Sequence, residues 1–364
     1  MDYSEIKRIA EMYFTVVDSV YYSIDNVIDI QILMDEKLKE KFEGFYREIH
    51  EKYGLIAILR RISENMCLVR VATLPKKKKR SVIVNAVMAI ITIASILYSG
   101  WLFSTNEIFR FVYPEADPLI TTLQFFVSLF GIVSIHETGH LIANRKNKID
   151  ASLPYFIPGL PEIGGTFGAI IVQRSPPHNR DALFDMGISG PIAGFIVALT
   201  VTIIGFLMSK PISYSTVELI NQMYPNQLGE LPVPILFLII EMLLRPTPAG
   251  YTLYLHPVAF AGWVGLLITG LNLFPATQLD GGHIARALFG DKKHETITYT
   301  SAFIMMLMGY LPMGLLVLLM QQMSKHPGPL DDVSEVSSSR KILGFLAFLL
   351  VILCTPPLFI LPLF

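Results

Sequence analysis

Residues 118–143 read PLITTLQFFVSLFGIVSIHETGHLIA, an apolar run that is long enough to cross a bilayer and ends in one cluster of ionisable side chains. In that cluster His136 and His140 are one helical turn apart, so both imidazoles lie on one face, and Glu137 lies beside them. This spacing suits a zinc ion. Because charged groups are costly at membrane depth, the cluster predicts a functional site rather than a solvated helix face.

A catalytic zinc site needs a third protein ligand and an open position for water. The best candidate is Asp280, which follows a second apolar stretch, residues 256–274, and precedes two glycines. Asp-Gly-Gly is also a common turn or helix cap at a membrane border, and that alternative stays open. Asp280 can join His136 and His140 only if both apolar stretches end on the same side of the membrane.

Basic residues beside the apolar stretches predict the direction of each span. Residues 76–80 (KKKKR) precede the first span, 81–103, and assign that end to the cytoplasm. The second span, about 118–143, returns to the cytoplasm, where residues 145–148 (RKNK) follow it. The paired histidines are therefore expected on the order of 10 Å from the cytoplasmic face.

The later spans bring Asp280 to the same face. A third span, about 184–208, leaves the cytoplasm and a fourth, 256–274, returns to it. Residues 232–244 are apolar but too short to cross, and if they did cross, Asp280 would lie on the wrong side. Two further spans give six in all, with both termini cytoplasmic: 296–320, expected to be kinked by its glycines and proline, and 342–364.

A membrane-embedded loop is predicted for residues 152–172. The stretch is apolar, but its prolines and glycines deny it a helix. Non-helical backbone at this depth is tolerated only against protein or a water-lined cavity. We therefore expect a re-entrant β-hairpin whose edge strand accepts an extended substrate, the best candidates being Gly165, Thr166, Phe167, Gly168 and Ala169. A purely structural loop is the alternative.

The amino-terminal residues predict a small α+β domain. The patterns favour helices over 4–22 and 35–52, a strand over 26–34, and a hairpin of two strands, 54–60 and 65–72. The fold class is thus mainly α: a polytopic membrane protein with about six transmembrane helices, the embedded hairpin and this soluble domain. Its expected divisions are a cytoplasmic domain (1–75), a transmembrane core (76–290) and carboxy-terminal transmembrane helices with a polar loop (291–364).

Four motifs together resemble the site-2 protease family of intramembrane zinc metalloproteases, in particular its plant and prokaryotic branch without a PDZ domain. They are the HETGH cluster, residues 165–168 (GTFG), residues 190–194 (GPIAG) and residues 272–282 (NLFPATQLDGG). The resemblance covers roughly residues 80–290. It implies that His136, His140 and Asp280 bind zinc. It also implies that Glu137 is the general base and that Asn272 contacts the substrate or the oxyanion.

The chemistry of these residues agrees with that resemblance. Zinc held by two neutral imidazoles and one carboxylate acidifies its water and polarises the scissile carbonyl, and Glu137 can take the proton. A cysteine nucleophile is disfavoured because Cys67 and Cys354 are far apart in the sequence. Of the other histidines, His256 is interpreted as interfacial and His283 as a cap, while a role of His283 in tuning or transiently binding the metal stays open. The remaining four need no special role: His50, His178, His294 and His326.

The expected function is intramembrane hydrolysis of single-pass transmembrane substrates near the cytoplasmic side of the bilayer, as in regulated intramembrane proteolysis. An ion-coupled transporter that uses the cluster as a cation relay is one alternative, and a metal-bound scaffold that does not cleave is another. A composition of 52% hydrophobic and 16% charged residues fits a polytopic membrane protein, and the net charge of −1 gives no case for nucleic acid. The amino end (MDYSE) does not read as a targeting peptide, which favours a prokaryotic cell membrane.

Overall fold

The computed structural model describes residues 3–73, 82–225, 227–229, 231–244 and 246–357. Within these residues the helices are α1 (Tyr3–Tyr13), α2 (Leu38–Tyr53), α3 (Val82–Thr105), α4 (Glu107–Val112), α5 (Pro118–Lys146), α6 (Arg180–Met208), α7 (Tyr214–Met223), α8 (Ile235–Leu244), α9 (Pro257–Asn272), α10 (Asp280–Leu307), α11 (Leu311–Met323) and α12 (Ser338–Cys354). The strands are β1 (Val16–Tyr22), β2 (Val27–Leu33), β3 (Leu55–Arg61), β4 (Met66–Thr73), β5 (Tyr155–Pro158), β6 (Thr166–Ile170), β7 (Lys210–Ser213) and β8 (Tyr251–Tyr254). The protein is mainly helical, and its largest sheet lies near the amino end.

The amino-terminal unit is an antiparallel sheet of order β1-β2-β4-β3 with α1 and α2 packed on it. Ile28, Ile30 and Ile32 alternate along β2 and are fully buried, because a strand directs every second side chain to the same face. They share one apolar core with Phe45 and Ile49 of α2. A small α+β unit therefore forms at this end, as its sequence predicts.

The helix predicted over residues 4–22 is wrong in its second half. Helix α1 ends at Tyr13, and β1 follows as an edge strand antiparallel to β2. The segment VVDSVYY is rich in β-branched and aromatic residues, which fit a pleated sheet better than a helix. This local preference outweighs the helical periodicity that continues from α1.

Three helices among the described residues are long and apolar enough to cross a membrane, namely α3, α5 and α6. They coincide with the first three predicted spans. Helix α9 is apolar but has only 16 residues. The basic run 76–80, on which the predicted orientation depends, lies outside the described residues.

The long helices pack in antiparallel succession. Gly139 of α5 lies against Ser189 of α6, and further back along α5, His136 lies against Gly194. Helices α6 and α9 run past each other in the same way, with Gly205 against Ala259 and Thr202 against Gly262. Since α6 is antiparallel to both of its neighbours, α5 and α9 are parallel. Their carboxyl ends therefore lie on the same side of the core.

The segment between α6 and α9 starts and finishes at the same end of the core, and Phe237 of α8 packs on Phe206 of α6. Strands β7 and β8 pair antiparallel, with Lys210 opposite Tyr254 and Ser213 opposite Tyr251. Helix α8 lies within this segment and has 10 residues, a rise of about 15 Å and roughly half of a bilayer's hydrocarbon core. The segment predicted to be too short to cross is therefore a short helix, and α9 begins beside the end of α6.

The single span predicted over residues 296–320 is wrong. Helix α10 ends at Leu307, and α11 begins after a turn in which Gly309 has a φ of +97°. Gly314 of α11 then lies against Ala302 and Met306 of α10, so the two helices form a hairpin. In place of the expected kink, the chain reverses its direction completely. The glycine at positive φ ends α10, and Pro312, in the first turn of α11, starts the next helix.

Residues 155–170 form the predicted β-hairpin, with β5 and β6 antiparallel and a bulge between Phe156 and Pro158. The hairpin lies along α3. Asn85 Nδ2 donates to the carbonyl oxygens of Leu153 and Pro154 at 2.9 and 3.0 Å, and Ser95 Oγ donates to the carbonyl oxygen of Gly159 at 3.0 Å. Polar side chains of an apolar helix thus satisfy part of the hairpin backbone.

Candidate metal centre

The centre begins with the two histidines of α5. His136 and His140 are both buried, and their Nε2 atoms are 3.2 Å apart. Glu137, between them in sequence, is buried as well. Residues four apart on a helix share a face, so the motif spacing alone accounts for the convergence of the two rings.

The structure brings Asp280 to these two rings. Its Oδ2 lies 3.2 Å from His136 Nε2 and its Oδ1 lies 3.3 Å from His140 Nε2. Asp280 is the first residue of α10. A short loop joins α10 to α9, the helix that runs parallel to α5. Gly281 and Gly282 allow that first turn to lie directly on the loop, because a Cβ at either position would overlap carbonyl oxygens of residues 273–277.

The donor set fits a zinc ion. Tetrahedral ligands at about 2.0–2.1 Å from zinc are separated from one another by roughly 3.3 Å. The two Nε2 atoms and the nearest carboxylate oxygens have separations of 3.2–3.3 Å. Among the described residues, this is the group of three or more His, Cys, Asp or Glu side chains that could hold a metal ion. Its composition, two imidazoles and one carboxylate, leaves a fourth position for another ligand.

One of the rings is held by a backbone group that sequence reasoning missed. His140 Nδ1 lies 2.8 Å from the carbonyl oxygen of Met186 on α6, and this oxygen can only accept. The proton of a neutral His140 therefore lies on Nδ1, and the lone pair of Nε2 faces His136 and Asp280. A carbonyl partner of this kind orients a metal-binding imidazole. No side-chain motif could have identified it.

Small residues of α6 form the back wall of the centre. Gly187, Gly190 and Gly194 pack directly against the centre. A Cβ at Gly190 would overlap His140 Nε2, and one at Gly194 would lie 2.9 Å from His136 Nδ1. A Cβ at Gly187 would lie 2.7 Å from the carbonyl oxygen of Asp280. The helix surface is thus shaped to the rings.

A small cavity opens beside Glu137. Its polar wall includes His136, Glu137 and Asn272, the last residue of α9, and its backbone wall includes Gly168 and Ala169 of β6. The remaining wall is formed mainly by apolar side chains of α5 and α9. A carboxylate, an amide side chain and a strand edge therefore face one space next to the paired histidines.

The other predicted substrate-binding residues have different surroundings. Thr166 is buried and bonds within the hairpin, its Oγ1 donating to the carbonyl oxygen of Ile157 at 3.0 Å and accepting from the N–H of Gly168 at 3.0 Å. Gly165 packs against the backbone of Ser95 on α3. The Phe167 side chain is 58% exposed. These three residues shape the hairpin without lining the cavity.

The remaining histidines differ from their predicted roles. His283 does not cap α10, because it lies within the first turn and its Nδ1 is 2.7 Å from His326 Nε2. His294 and His326 are buried, although their sequence surroundings are polar. His256 is the amino-terminal cap of α9, where its Nδ1 accepts from the N–H of Val258.

Comparisons with known proteins are consistent with a metal centre of this composition. Residues 124–311, just over half of the chain, match the model of Peptidase family M50. The chain is 33% identical over 261 residues to a "Probable zinc metalloprotease EGY1, chloroplastic" of Arabidopsis thaliana, which covers 68% of this chain and 44% of that protein. The protein of the same name from Oryza sativa subsp. japonica is 32% identical over 245 residues, or 63% and 40% of the two chains. The chain thus spans less than half the length of these relatives, and no solved structure matches it.

Proposed function

We propose, from the premise that this chain belongs to peptidase family M50, that it is a zinc-dependent endopeptidase that hydrolyses peptide bonds of transmembrane helices near the cytoplasmic side of a membrane. The observation that carries this proposal is the convergence of His136, His140 and Asp280 beside a cavity that also contains Glu137. The relatives carry zinc metalloprotease in their names.

The metal ligands in this proposal are His136 Nε2, His140 Nε2 and the Asp280 carboxylate. When bound, zinc supplies a Lewis acid that lowers the pKa of water and polarises a carbonyl. The Met186 carbonyl holds the His140 ring in the required tautomer, and Gly190 leaves room for that ring. The chain's own contribution is thus to fix three donor atoms before substrate arrives.

Glu137 is proposed as the proton carrier. Its buried carboxylate borders the cavity next to the ligands, so it can take a proton from the attacking water at one of its oxygens and return it to the leaving amine. Asn272 lies on the same cavity and can donate from Nδ2 to the oxygen of the scissile carbonyl, where negative charge develops. No covalent enzyme intermediate is required.

The edge of β6 is proposed as the substrate-binding strand. A transmembrane helix hides its amides in hydrogen bonds, so it must be unwound locally and held extended before it can be cleaved. Among the described strands β6 pairs with β5 alone, and Gly168 and Ala169 line the cavity. Their backbone can therefore pair with an extended segment and guide it past Glu137.

The same geometry supports a hairpin within the membrane. The turn of the hairpin contacts α3 at Ser95, 13 residues beyond the start of that apolar helix, or about 20 Å along it. Gly164, in the same turn, lies against Leu129 of α5 and Val264 of α9. Helix contacts on three sides would protect this backbone from lipid.

The membrane arrangement is part of the proposal. We propose that α3, α5, α6 and α9 cross the membrane in turn and that the α10–α11 hairpin begins and ends on the cytoplasmic side, which replaces the predicted fifth crossing and with it the predicted cytoplasmic carboxyl terminus. We also propose cleavage of single-pass substrates in regulated intramembrane proteolysis. The membrane we propose is a prokaryotic cell membrane. Because the relatives' names specify the chloroplast, fractionation of the source cells separates these two locations, and cysteine-labelling of the termini then determines their side of the membrane.

Glu137→Gln tests the reaction. We expect purified full-length protein to cleave a model transmembrane substrate, and Glu137→Gln to lower that rate by about 10²–10⁴-fold while zinc stays bound, since the amide cannot accept the proton. Glu107→Gln, an exposed glutamate on α4, is the matched control and should cleave at the wild-type rate.

Removal of the metal completes this test. A zinc chelator should abolish cleavage and restored zinc should return it. Cleavage by Glu137→Gln at the normal rate would exclude the general-base role. Cation flux that survives chelation would favour the transporter, and zinc-dependent binding of substrate without cleavage would favour the scaffold.

A further inference from the structure

Residues 326–337, here called the strap, lie between the amino-terminal sheet and the helical core. On one side, the N–H of Leu59 in β3 donates to the carbonyl oxygen of Leu330 at 2.8 Å. On the other side, the N–H groups of Leu330 and Asp331 donate to the carbonyl oxygens of Pro177 and His178 at 2.8 and 2.9 Å, just before α6. The strap therefore joins the two parts of the molecule through its backbone.

Side chains fix the strap to the amino-terminal unit. Leu330 and Val333 are buried in the apolar core of that unit, beside residues of its sheet and helices. Arg60 Nη1 donates to the carbonyl oxygens of Pro329 and Leu330 at 3.0 and 2.9 Å. The core of the amino-terminal unit is thus completed by residues from the far end of the chain.

Two other side chains of the strap reach the first turns of α10. Asp332 accepts two hydrogen bonds from Arg286, both of 2.8 Å, and the Arg286 side chain is only 2% exposed. His326 Nε2 lies 2.7 Å from His283 Nδ1. Arg286 and His283 are six and three residues beyond Asp280, so both contacts act within two turns of the candidate ligand.

The hydrogen bonds of His326 determine which atom donates. Its Nδ1 accepts from the N–H of Gly328 at 3.0 Å, so the proton of the neutral ring lies on Nε2. His326 Nε2–H therefore donates to His283 Nδ1. The interaction has one direction and depends on a donor at the ε position of residue 326.

The first turn of α10 has little stability of its own. Its cap position, Leu279, makes no side-chain hydrogen bond to the turn, and Asp280 is followed by two glycines. Glycine is among the weakest helix formers, so this sequence leaves the backbone of the turn dependent on its neighbours. The loop beneath the turn is one support, and the strap contacts at His283 and Arg286 form the other.

We infer that the strap positions Asp280 for metal binding, with His326 and Asp332 as positioning residues, and that the amino-terminal unit supports the centre by holding the strap. This inference rests on the proposed function, because it assumes that Asp280 is a zinc ligand. The described residues of the amino-terminal unit include no group of side chains that could hold a metal ion, and its role is to support the strap: a change in the docking of that unit alters zinc affinity at a site in the helical core.

Two substitutions of His326 provide the test. A Gln side chain places an amide donor roughly where Nε2 lies, whereas an Asn side chain places its amide roughly at Nδ1 and cannot reach His283. In full-length protein, His326→Asn should lower zinc affinity by about 10-fold or more, measured by competition with a chelating dye. His326→Gln should keep affinity within about threefold of wild type. The absorption spectrum of the cobalt-substituted protein should change in the Asn variant alone.

A second pair of variants tests the inference even if His326→Asn does not fold. Asp332→Asn keeps the shape of the side chain but removes the charge that faces buried Arg286, and it should also lower zinc affinity by about 10-fold. Asp291→Asn is the matched control, since Asp291 also lies near Arg286, at 3.4 Å, but its side chain is 71% exposed. Wild-type zinc affinity in either His326→Asn or Asp332→Asn would overturn the inference.

His136→Ala distinguishes failure of this inference from failure of the proposed function. If His136→Ala retains wild-type zinc affinity, the proposed metal centre is wrong and the strap inference fails with it. If His136→Ala loses zinc while His326→Asn and Asp332→Asn bind it normally, the metal centre stands and only the role of the strap is overturned.

Discussion

The amino-terminal unit and the helical core have interiors of different kinds. In the amino-terminal unit, large apolar side chains such as Ile30 and Phe45 fill a buried core between helices and sheet. In the helical core, glycines such as Gly139 and Gly205 bring helix backbones close together, while many large apolar side chains point outward, as on α3. The first pattern suits a domain in water, and the second suits helices in lipid.

This difference shows where each half is sensitive to change. Lipid does not drive apolar side chains together, so helices in a membrane gain contact through small residues and close approach. Adding a methyl group to such a surface displaces whatever lies opposite. At α6 the opposing groups are the histidines of the candidate metal centre, so packing and chemistry are governed by the same positions.

Gly190→Ala should have the largest effect. The added Cβ would overlap His140 Nε2, the proposed ligand atom. Overpacking at this point should displace the ring, so we expect zinc affinity to fall by about 100-fold or more and cleavage to fall with it. Zinc content after dialysis and the rate of substrate cleavage measure the two effects.

Gly131→Ala is the control for Gly190→Ala. Gly131 lies in α5, and the space around its Cβ position is open. Alanine also favours a helix over glycine by about 1 kcal/mol, so this variant should bind zinc and cleave as wild type. Equal zinc affinity in the two variants would contradict the view that α6 is shaped to the histidine rings.

The side chains of the candidate centre could be predicted from the sequence, largely because the positions of the two histidines depend on local spacing. His136 and His140 need only a helix to face the same way, and flanking charge was sufficient to predict that Asp280 would lie on their side. The hairpin containing Gly168 was also predictable, since prolines and glycines exclude a helix from an apolar stretch. These inferences required no knowledge of long-range contacts.

Other features depend on contacts between distant parts of the chain. The carbonyl of Met186 has no signature in the sequence, because every residue offers the same group. The bond between His283 and His326 joins residues 43 positions apart, and the strap completes a core that begins at the other end of the chain. The strand β1 was hidden for a different reason: the apolar periodicity of α1 runs into it without a break.

Gly168→Ala should have an intermediate effect, restricted to substrate. Gly168 has a φ of +92° and the space around its Cβ position is open, so alanine there costs strain of about 1 kcal/mol without a collision. Because Gly168 borders the cavity, we expect kcat/KM for a transmembrane substrate to fall about 10-fold while zinc affinity stays unchanged.

Gly54→Ala matches Gly168→Ala in backbone terms. Gly54 ends α2 with a φ of +65°, again with open space around its Cβ position, but it lies in the amino-terminal unit. It should lower stability by a similar amount and leave kcat/KM unchanged. Equal losses of kcat/KM in both variants would attribute the effect at Gly168 to general strain instead of substrate contact.

The smallest expected effect is a pH dependence of the contact between the two halves. His178 precedes α6, its ring lies 5.2 Å from that of Tyr46 on α2, and its Nδ1 is buried without a hydrogen-bond partner among the described residues. Burial lowers the pKa of His178, with His50 and Lys148 acting in the same direction and Glu43 opposing them.

His178 binds a proton less readily in the folded state than in the unfolded chain. The contact between the two halves should therefore lose stability as pH falls towards and below about 6.5, the ordinary pKa of histidine. The denaturant concentration at which half of the amino-terminal unit is unfolded should therefore decrease as the pH is lowered from 7.5 to 5.5. His178→Phe keeps an aromatic ring against Tyr46 but cannot be protonated, so the fall should be smaller in that variant. An equal fall in both proteins would assign the pH dependence to another group.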